Sequence, residues 1–188
     1  EDMGIGYGLR RLVAERARSA REAVEIAGAL IEEFGYTSGR SYQFCDKNEA
    51  WVFQIPTGRR YVAKRIPDDH VYMIPNNYTI HEVDFADAEH KNCYFSKDLV
   101  EYAMKNGWYQ PAVPGDYSDF DFARAYQDGP DKVHNLIRAR QTWPMLLGER
   151  PEEWRPFSRK APWKYTVAEL RRLLSSHFEG TEDDYNNG

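Results

Sequence analysis

The sequence predicts an α+β fold with an antiparallel sheet, on three observations. Apolar residues up to Gly35 recur at helical spacing, and residues from Tyr42 to Ile74 alternate with a period of two. Helical spacing then returns after Ser96. No strand–helix–strand alternation of the kind that builds a parallel sheet is present. With 188 residues and 41% apolar content, the chain can bury a core, and a single domain is the expectation.

The elements follow in chain order. Leu9, Leu12, Val13 and Ala17 mark a first helix over 8–18, and Ala20, Val24, Ala27, Ile31 and Phe34 a second over 20–34. Between them Ser19-Ala20-Arg21-Glu22 has the Ser-x-x-Glu pattern of a capping box, and Gly35 stands where a helix-ending glycine belongs. Three strands are expected around Tyr42–Cys45, Ala50–Ile55 and Tyr61–Ile66. Asp46-Lys47-Asn48 and Pro56-Thr57-Gly58 supply the turns of a three-stranded antiparallel meander, with a fourth strand expected near Val71–Ile74. The central strand is apolar on both faces, so the sheet should be covered on both sides. Ser96 is the expected cap of a helix with Leu99, Val100, Ala103 and Met104 inward. A short helix follows near Phe120–Tyr126. Another carries Val133, Leu136, Ile137 and Met145 or Leu146, interrupted by Pro144. A Pro-rich loop over 151–162 precedes a last helix, capped by Thr166 and Glu169. The domain thus reads as a helix pair over 1–40, strands over 41–80 and a mainly helical part over 81–188.

Charge and composition exclude several roles. Twenty-five Lys+Arg against 30 Asp+Glu leave a net charge of −5, the wrong sign for a phosphate-neutralising surface, so no nucleic-acid partner is expected. No apolar run approaches the ~20 residues that span a bilayer, so no membrane partner is expected. Two cysteines make no disulfide framework, which favours a reducing, cytoplasmic compartment. The chain opens on Glu1 without an initiator methionine, and the expectation is a piece of a longer polypeptide.

Chemical candidates are few. Cys45 precedes Asp46, whose carboxylate disfavours a thiolate, and no histidine lies in its hairpin; it reads as structural. Cys93 lies just before a helix and reads as a packing residue. Asp68, Asp69, His70, His81, Asp84, Asp87 and His90 fall in one window, but no His-x-x-x-His or Cys-x-x-Cys pair organises them, so no metal is expected. "GIGYG" follows no strand and is no phosphate loop, and no cofactor is expected. Arg59, Arg60, Lys64 and Arg65 read as the charged edge of a sheet. Asn76, after "VYMIP", and Arg138, in "VHNLIRARQTW", are polar residues with apolar neighbours; on these grounds alone they are modest candidates.

The stretch "DKNEAWVFQIPTGRRYVAKRIPDDHVYMIPNNYTIHEVDF" closely resembles the middle of bacterial cysteine dipeptidases of the N-terminal-nucleophile (Ntn) hydrolase superfamily. These are relatives of secernins and, more distantly, of penicillin V acylase and bile salt hydrolase. "RSAREAVEIAGALIEEFGY", "FSKDLVEYAMKNGW", "DFARAY", "HNLIRARQTW" and "TVAELRRLLSSHFEGT" extend the likeness over nearly the whole chain. It implies an αββα sandwich, here a partial one, hydrolysis of dipeptides by an N-terminal cysteine whose own α-amine is the base, and homo-oligomeric assembly. Glu1 is not cysteine and neither Cys45 nor Cys93 matches the nucleophile. The chain therefore resembles a central fragment, inactive alone, whose nucleophile lies upstream. By resemblance, Asn76 matches the Asn that orients the nucleophile's amine and borders the oxyanion. Arg138 matches the Arg that supports the site's charge network, with Arg140 as the alternative match. Trp51, Tyr61, Asp68 and Asp69 match structural or pocket-lining positions. Two other readings stay open: a non-catalytic interaction domain, and an amidase or acylase acting on non-peptide amides.

Overall fold

The computed structural model describes residues 4–56, 58–127, 133–150 and 156–185. They are α+β with antiparallel pairing throughout and form two compact units. The first unit comprises Glu1–Asp68 and Tyr78–Gly129, and the second Asp69–Asn77 and Pro130–Gly188. Among the described residues no helix is long and apolar enough to cross a membrane.

The first unit opens with α1 (Gly8–Arg16) and α2 (Ala20–Phe34). The Ser19 hydroxyl accepts from the Glu22 amide at 3.1 Å, but the Glu22 carboxylate reaches past the cap to the Arg18 amide at 2.6 Å. The capping box is thus displaced by one residue on its return arm. Gly35 closes α2 at φ 74°, and its amide donates to the Ile31 carbonyl at 2.8 Å. Phe34, assigned inward by period, lies on the exposed side.

A four-stranded sheet runs in the order β1–β2–β3–β5, from β1 (Arg40–Cys45), β2 (Ala50–Ile55), β3 (Val62–Ile66) and β5 (Cys93–Phe95). The meander of the first three strands is as expected, with Tyr42 opposite Phe53 and Phe53 opposite Ala63. A fourth strand does form near the expected position, but not beside the other three. The residues expected there form β4 (His70–Tyr72), which pairs instead with β6 (Ser158–Lys160) inside the Pro-rich loop, in the second unit. The vacated place beside β3 is taken by β5, with Val62 opposite Phe95.

Every residue from Trp51 to Ile55 is inaccessible to solvent. Trp51, Phe53 and Ile55 face a core shared with Leu9, Val13, Val24, Ala27 and Ile31 of α1 and α2. At roughly 1.5–3 kcal/mol for each large side chain, this face alone offers stabilisation on the scale of a whole domain's net stability. Helix and sheet approach so closely that a Cβ on Gly28 would lie 2.5 Å from the Tyr61 ring, which stacks on Phe53 at 4.9 Å. Trp51 and Tyr61 are therefore packing residues.

The opposite pleat carries Val52, Gln54 and Val62. The Gln54 carboxamide donates to Ser41 and Thr79 hydroxyls at 3.1 Å. Its oxygen accepts from the Thr79 amide at 3.1 Å and the Ile80 amide at 3.0 Å. Tyr78, beside them, donates its hydroxyl to the Ile55 carbonyl at 2.8 Å. A buried polar residue of this kind is tolerated because its donors and acceptor are used.

Helices α3 (Leu99–Lys105) and α4 (Phe122–Tyr126) complete the unit. Ser96 does not cap α3. It is buried, and its hydroxyl accepts from the Tyr61 amide at 2.8 Å, extending the β3–β5 pairing by a side chain. Leu99, Val100 and Ala103 face inward as expected, whereas Met104 is exposed. Asp121 caps α4 through the Arg124 amide at 2.9 Å and accepts from His81 Nδ1 at 3.0 Å.

The four cations read as a sheet edge lie on or beside an interior strand, a correction. Arg59 donates to the Glu32 and Glu33 carbonyls at the C-terminal end of α2. Arg60 pairs with Asp98 and lies over Tyr102 at 3.7 Å; Lys64 pairs with Glu82, and Arg65 with Glu49 and Asp68. They join neighbouring elements rather than repel another chain.

Gln54→Leu makes β2 more apolar yet leaves the amides and hydroxyls around it unpaired. It is expected to lower stability by roughly 2–4 kcal/mol, read from the urea midpoint at unchanged m-value.

Candidate active site

The two residues singled out for supporting chemistry, Asn76 and Arg138, fall in the second unit. Here β4 and β6 pair His70 with Lys160 and Tyr72 with Ser158. Asp69 holds Lys160 at 3.0 Å, His70 Nδ1 meets the Ser158 hydroxyl at 2.9 Å, and Tyr72 packs on Phe157 with ring centroids 5.4 Å apart. Asp69 is thus a strand staple.

Beyond β4, Val71 and Met73 pack against a cluster of Ala139, Trp143 and Leu146 from α5 (Val133–Leu147), joined by Leu147, Tyr165 and Leu173. Tyr165 donates to the Leu146 carbonyl at 2.5 Å. The segment leading to Asn76 and the helix carrying Arg138 are therefore built on one apolar cluster. Pro75 is buried, and Asn76 turns outward at φ 68°. A left-handed conformation is unfavourable for most side chains but accessible to Asn, and such positions concentrate where function holds a backbone in place.

Pro144 does not interrupt α5, a second correction. The helix continues to Leu147 because Trp143 and Leu146, on either side of the proline, are both buried in the cluster. Val133, expected on the inner stripe, has its side chain outside the described residues, as do residues 151–155 of the Pro-rich loop.

Successive helix positions are about 100° apart, so Arg138 and Arg140 flank the buried Ala139 on opposite sides. Arg140 is committed. Its guanidinium pairs bidentately with Asp183, Nε at 3.0 Å, and reaches Glu182 at 3.6 Å; Gln141 adds a bond to Asp183 at 2.6 Å. These bonds, the Gln141 amide first and then Arg140, hold the Asp183 carboxyl below its ordinary range against the opposing effect of burial. Arg138 is exposed and enters no ion pair among the described residues. Asp183 sits in "GTEDD", which reads as a solvated acidic run; only the fold reveals its role as an anchor.

The thiols lie in the first unit. Cys45 is exposed at the end of β1. Cys93 is buried in β5 opposite Lys64, and burial pushes its thiol up to about 11, away from the thiolate a nucleophile requires. The acidic and histidine residues between 68 and 90 disperse into separate tasks. Asp87 accepts from the Asn92, Lys91 and Cys93 amides and shapes the loop before β5, while His90 stacks on Tyr94 at 4.6 Å. Among the described residues no group of three or more His, Cys, Asp or Glu side chains is placed to hold a metal ion.

Comparison with known proteins places these residues in context. The family model for Peptidase family C69 matches residues 2–188. A dipeptidase of Bifidobacterium longum is 32% identical over 193 residues, covering 92% of this chain and 35% of that protein. A probable dipeptidase of Latilactobacillus sakei is 30% identical, covering 92% and 36%. Probable dipeptidase B of Lactococcus lactis is 32% identical, covering 92% and 37%. The chain thus spans little more than a third of the length of these curated relatives.

Thiol titration of the folded chain is expected to count one reactive group, Cys45, and a second only in denaturant. Asp183→Asn should destabilise at neutral pH. A carboxyl depressed on folding contributes stability above its unfolded value of about 3.9, and loses it as pH falls through the folded value. Denaturant melts of wild type and variant should therefore converge on acidification.

Proposed function

The chain belongs to peptidase family C69, and we propose that it is the central part of a cysteine-type dipeptidase, supplying supporting groups to a nucleophile carried elsewhere in the polypeptide. The observation that carries this reading is the shared cluster of Met73, Ala139 and Trp143, which builds the Asn76 turn and the Arg138 helix into one unit. The names of the relatives, all dipeptidases, support the substrate class. The α+β layers described above are consistent with one part of an Ntn-type αββα sandwich.

The chemistry follows from the groups. An α-amine has a reference pKa of about 7.7–8.0 and can take the proton of an adjacent cysteine thiol near neutrality. The thiolate attacks the dipeptide carbonyl; a carbon–sulfur bond forms and the carbonyl electron pair moves to oxygen. The Asn76 amide group donates to that oxyanion or orients the α-amine, and Arg138 stabilises the negative charge nearby. Collapse breaks the carbon–nitrogen bond, and the ammonium returns its proton to the departing amine. Water then attacks the thioester, giving its proton to the α-amine, and the second collapse releases the acid and restores the thiol. Cys45, exposed in the first unit, and Cys93, buried with a raised pKa, have no part in this sequence.

On a dipeptide panel the full-length gene product is expected to turn over substrate and the 188-residue chain is not; turnover by the short chain contradicts the reading. In the full-length protein Asn76→Ala should lower kcat about 10²–10³-fold, the usual cost of one oxyanion donor. Arg138→Ala should lower activity without lowering the melting temperature. Arg140→Ala should do the reverse, since its guanidinium holds Asp183.

A further inference from the structure

β1 is the one strand of the larger sheet that is long, fully paired on one side and open on the other. All six of its residues are in register with β2, and among the described residues no strand lies on its outer edge. Six residues of open edge extend about 20 Å; the strand contains no proline and no bulge, and Arg40 at its start is its one charged residue. Beside this edge runs a groove of about 500 Å³ between β1 and α1, with Val13, Ala14, Ala17, Phe44, Arg10 and Arg18 in its lining.

The charge of the groove is opposite to that of the molecule. α1 and the residues after it carry Arg10, Arg11, Arg16 and Arg18 against Glu15, in a chain of net charge −5. Arg11 pairs with Glu15, whereas Arg10, Arg16 and Arg18 enter no ion pair among the described residues. Asp46, also in the lining, has its oxygens engaged by the Ala20, Asn48 and Glu49 amides. An occupant of this groove meets the side chains of Arg10 and Arg18 together with apolar ones.

We propose that the β1 edge and its groove receive one further strand, supplied by the part of the longer peptidase polypeptide that lies outside these 188 residues. That strand presents acidic side chains to Arg10 and Arg18. The inference rests on the reading of the chain as part of a longer dipeptidase. A second copy is disfavoured by charge: antiparallel pairing of two β1 edges about a two-fold axis keeps the same face uppermost, bringing two arginine-rich α1 helices together. A free peptide would forfeit roughly 4–15 kcal/mol of translational and rotational freedom, and a tethered segment avoids most of that loss. Polypeptide to supply it is plentiful, since the chain covers only 35–37% of the relatives compared.

The test uses the full-length gene product with p-benzoylphenylalanine in place of the outward-facing Gln43, prepared as a mixture of isotopically light and heavy protein. After irradiation, mass spectrometry is expected to find an intramolecular crosslink to an acidic segment outside residues 1–188. Arg18→Glu should reduce its yield several-fold. A crosslink within these residues, a light–heavy crosslink, or none overturns the proposal. In the unsubstituted full-length protein the β1 peptide should exchange its amide hydrogens on the order of tenfold or more slowly than an open edge; fast exchange overturns the proposal as well. Dipeptide turnover of the same preparations reads the functional proposal separately. An active enzyme without the crosslink overturns the added strand alone, and an inactive protein with it overturns the dipeptidase reading alone.

Discussion

The fold depends on β2 being buried on both faces while carrying one polar side chain. Trp51, Phe53 and Ile55 require the helix pair on one side, and Gln54 requires hydrogen-bonding partners on the other. A register slip of one residue would turn the carboxamide into the helix-facing core and leave its hydrogen-bonding partners on the other face unpaired, so a single arrangement is selected. The partners that Gln54 takes are backbone and hydroxyl groups of Thr79 and Ile80, immediately after the Pro75-Asn76-Asn77 turn. The residues that follow the candidate site are thus tied to the centre of the sheet. Those that precede it are tied to α5 through Val71 and Met73.

Electrostatics plays a connecting role in both units. Glu49, largely buried, accepts from Arg21 and Arg65, and Arg21 also caps the His90 and Lys91 carbonyls while lying over Trp51 at 4.9 Å. In the second unit Asp183 does the equivalent for Arg140 and Gln141. Exposed pairs of this kind add little free energy, but those with a shielded carboxylate define where a segment lies. Arg140 is one of the cations so engaged, whereas Arg138 on the same helix is exposed.

Much of the fold was legible in the sequence because it rests on local signals. The Thr166–Glu169 capping box forms as read, the Thr166 hydroxyl accepting from the Glu169 amide at 3.2 Å and the carboxylate accepting from the Thr166 amide at 2.6 Å. Alternation located β1, β2 and β3, and Gly35 ended α2. The failures concern pairings between distant segments. β5 and β6 are three residues each, too short for a periodic signal, and become strands only through β3 and β4. Ser96 has the look of a helix cap, but tertiary demand for a bond to the Tyr61 amide outweighed the local preference. Of the candidate site, residue type suggested Asn76 and Arg138 only modestly. The resemblance to a family singles them out, and no local pattern marks Asp183 as the anchor of Arg140 and Gln141 on α5.

The proposed attacking sulfur lies outside these 188 residues. Inactivating the full-length gene product with one equivalent of a thiol-directed dipeptide analogue and mapping the modified residue locates it. A single label is expected on a cysteine outside this chain, with Cys45 and Cys93 unmodified at complete loss of activity. A label on Cys45 or Cys93 that accumulates in step with that loss would contradict it.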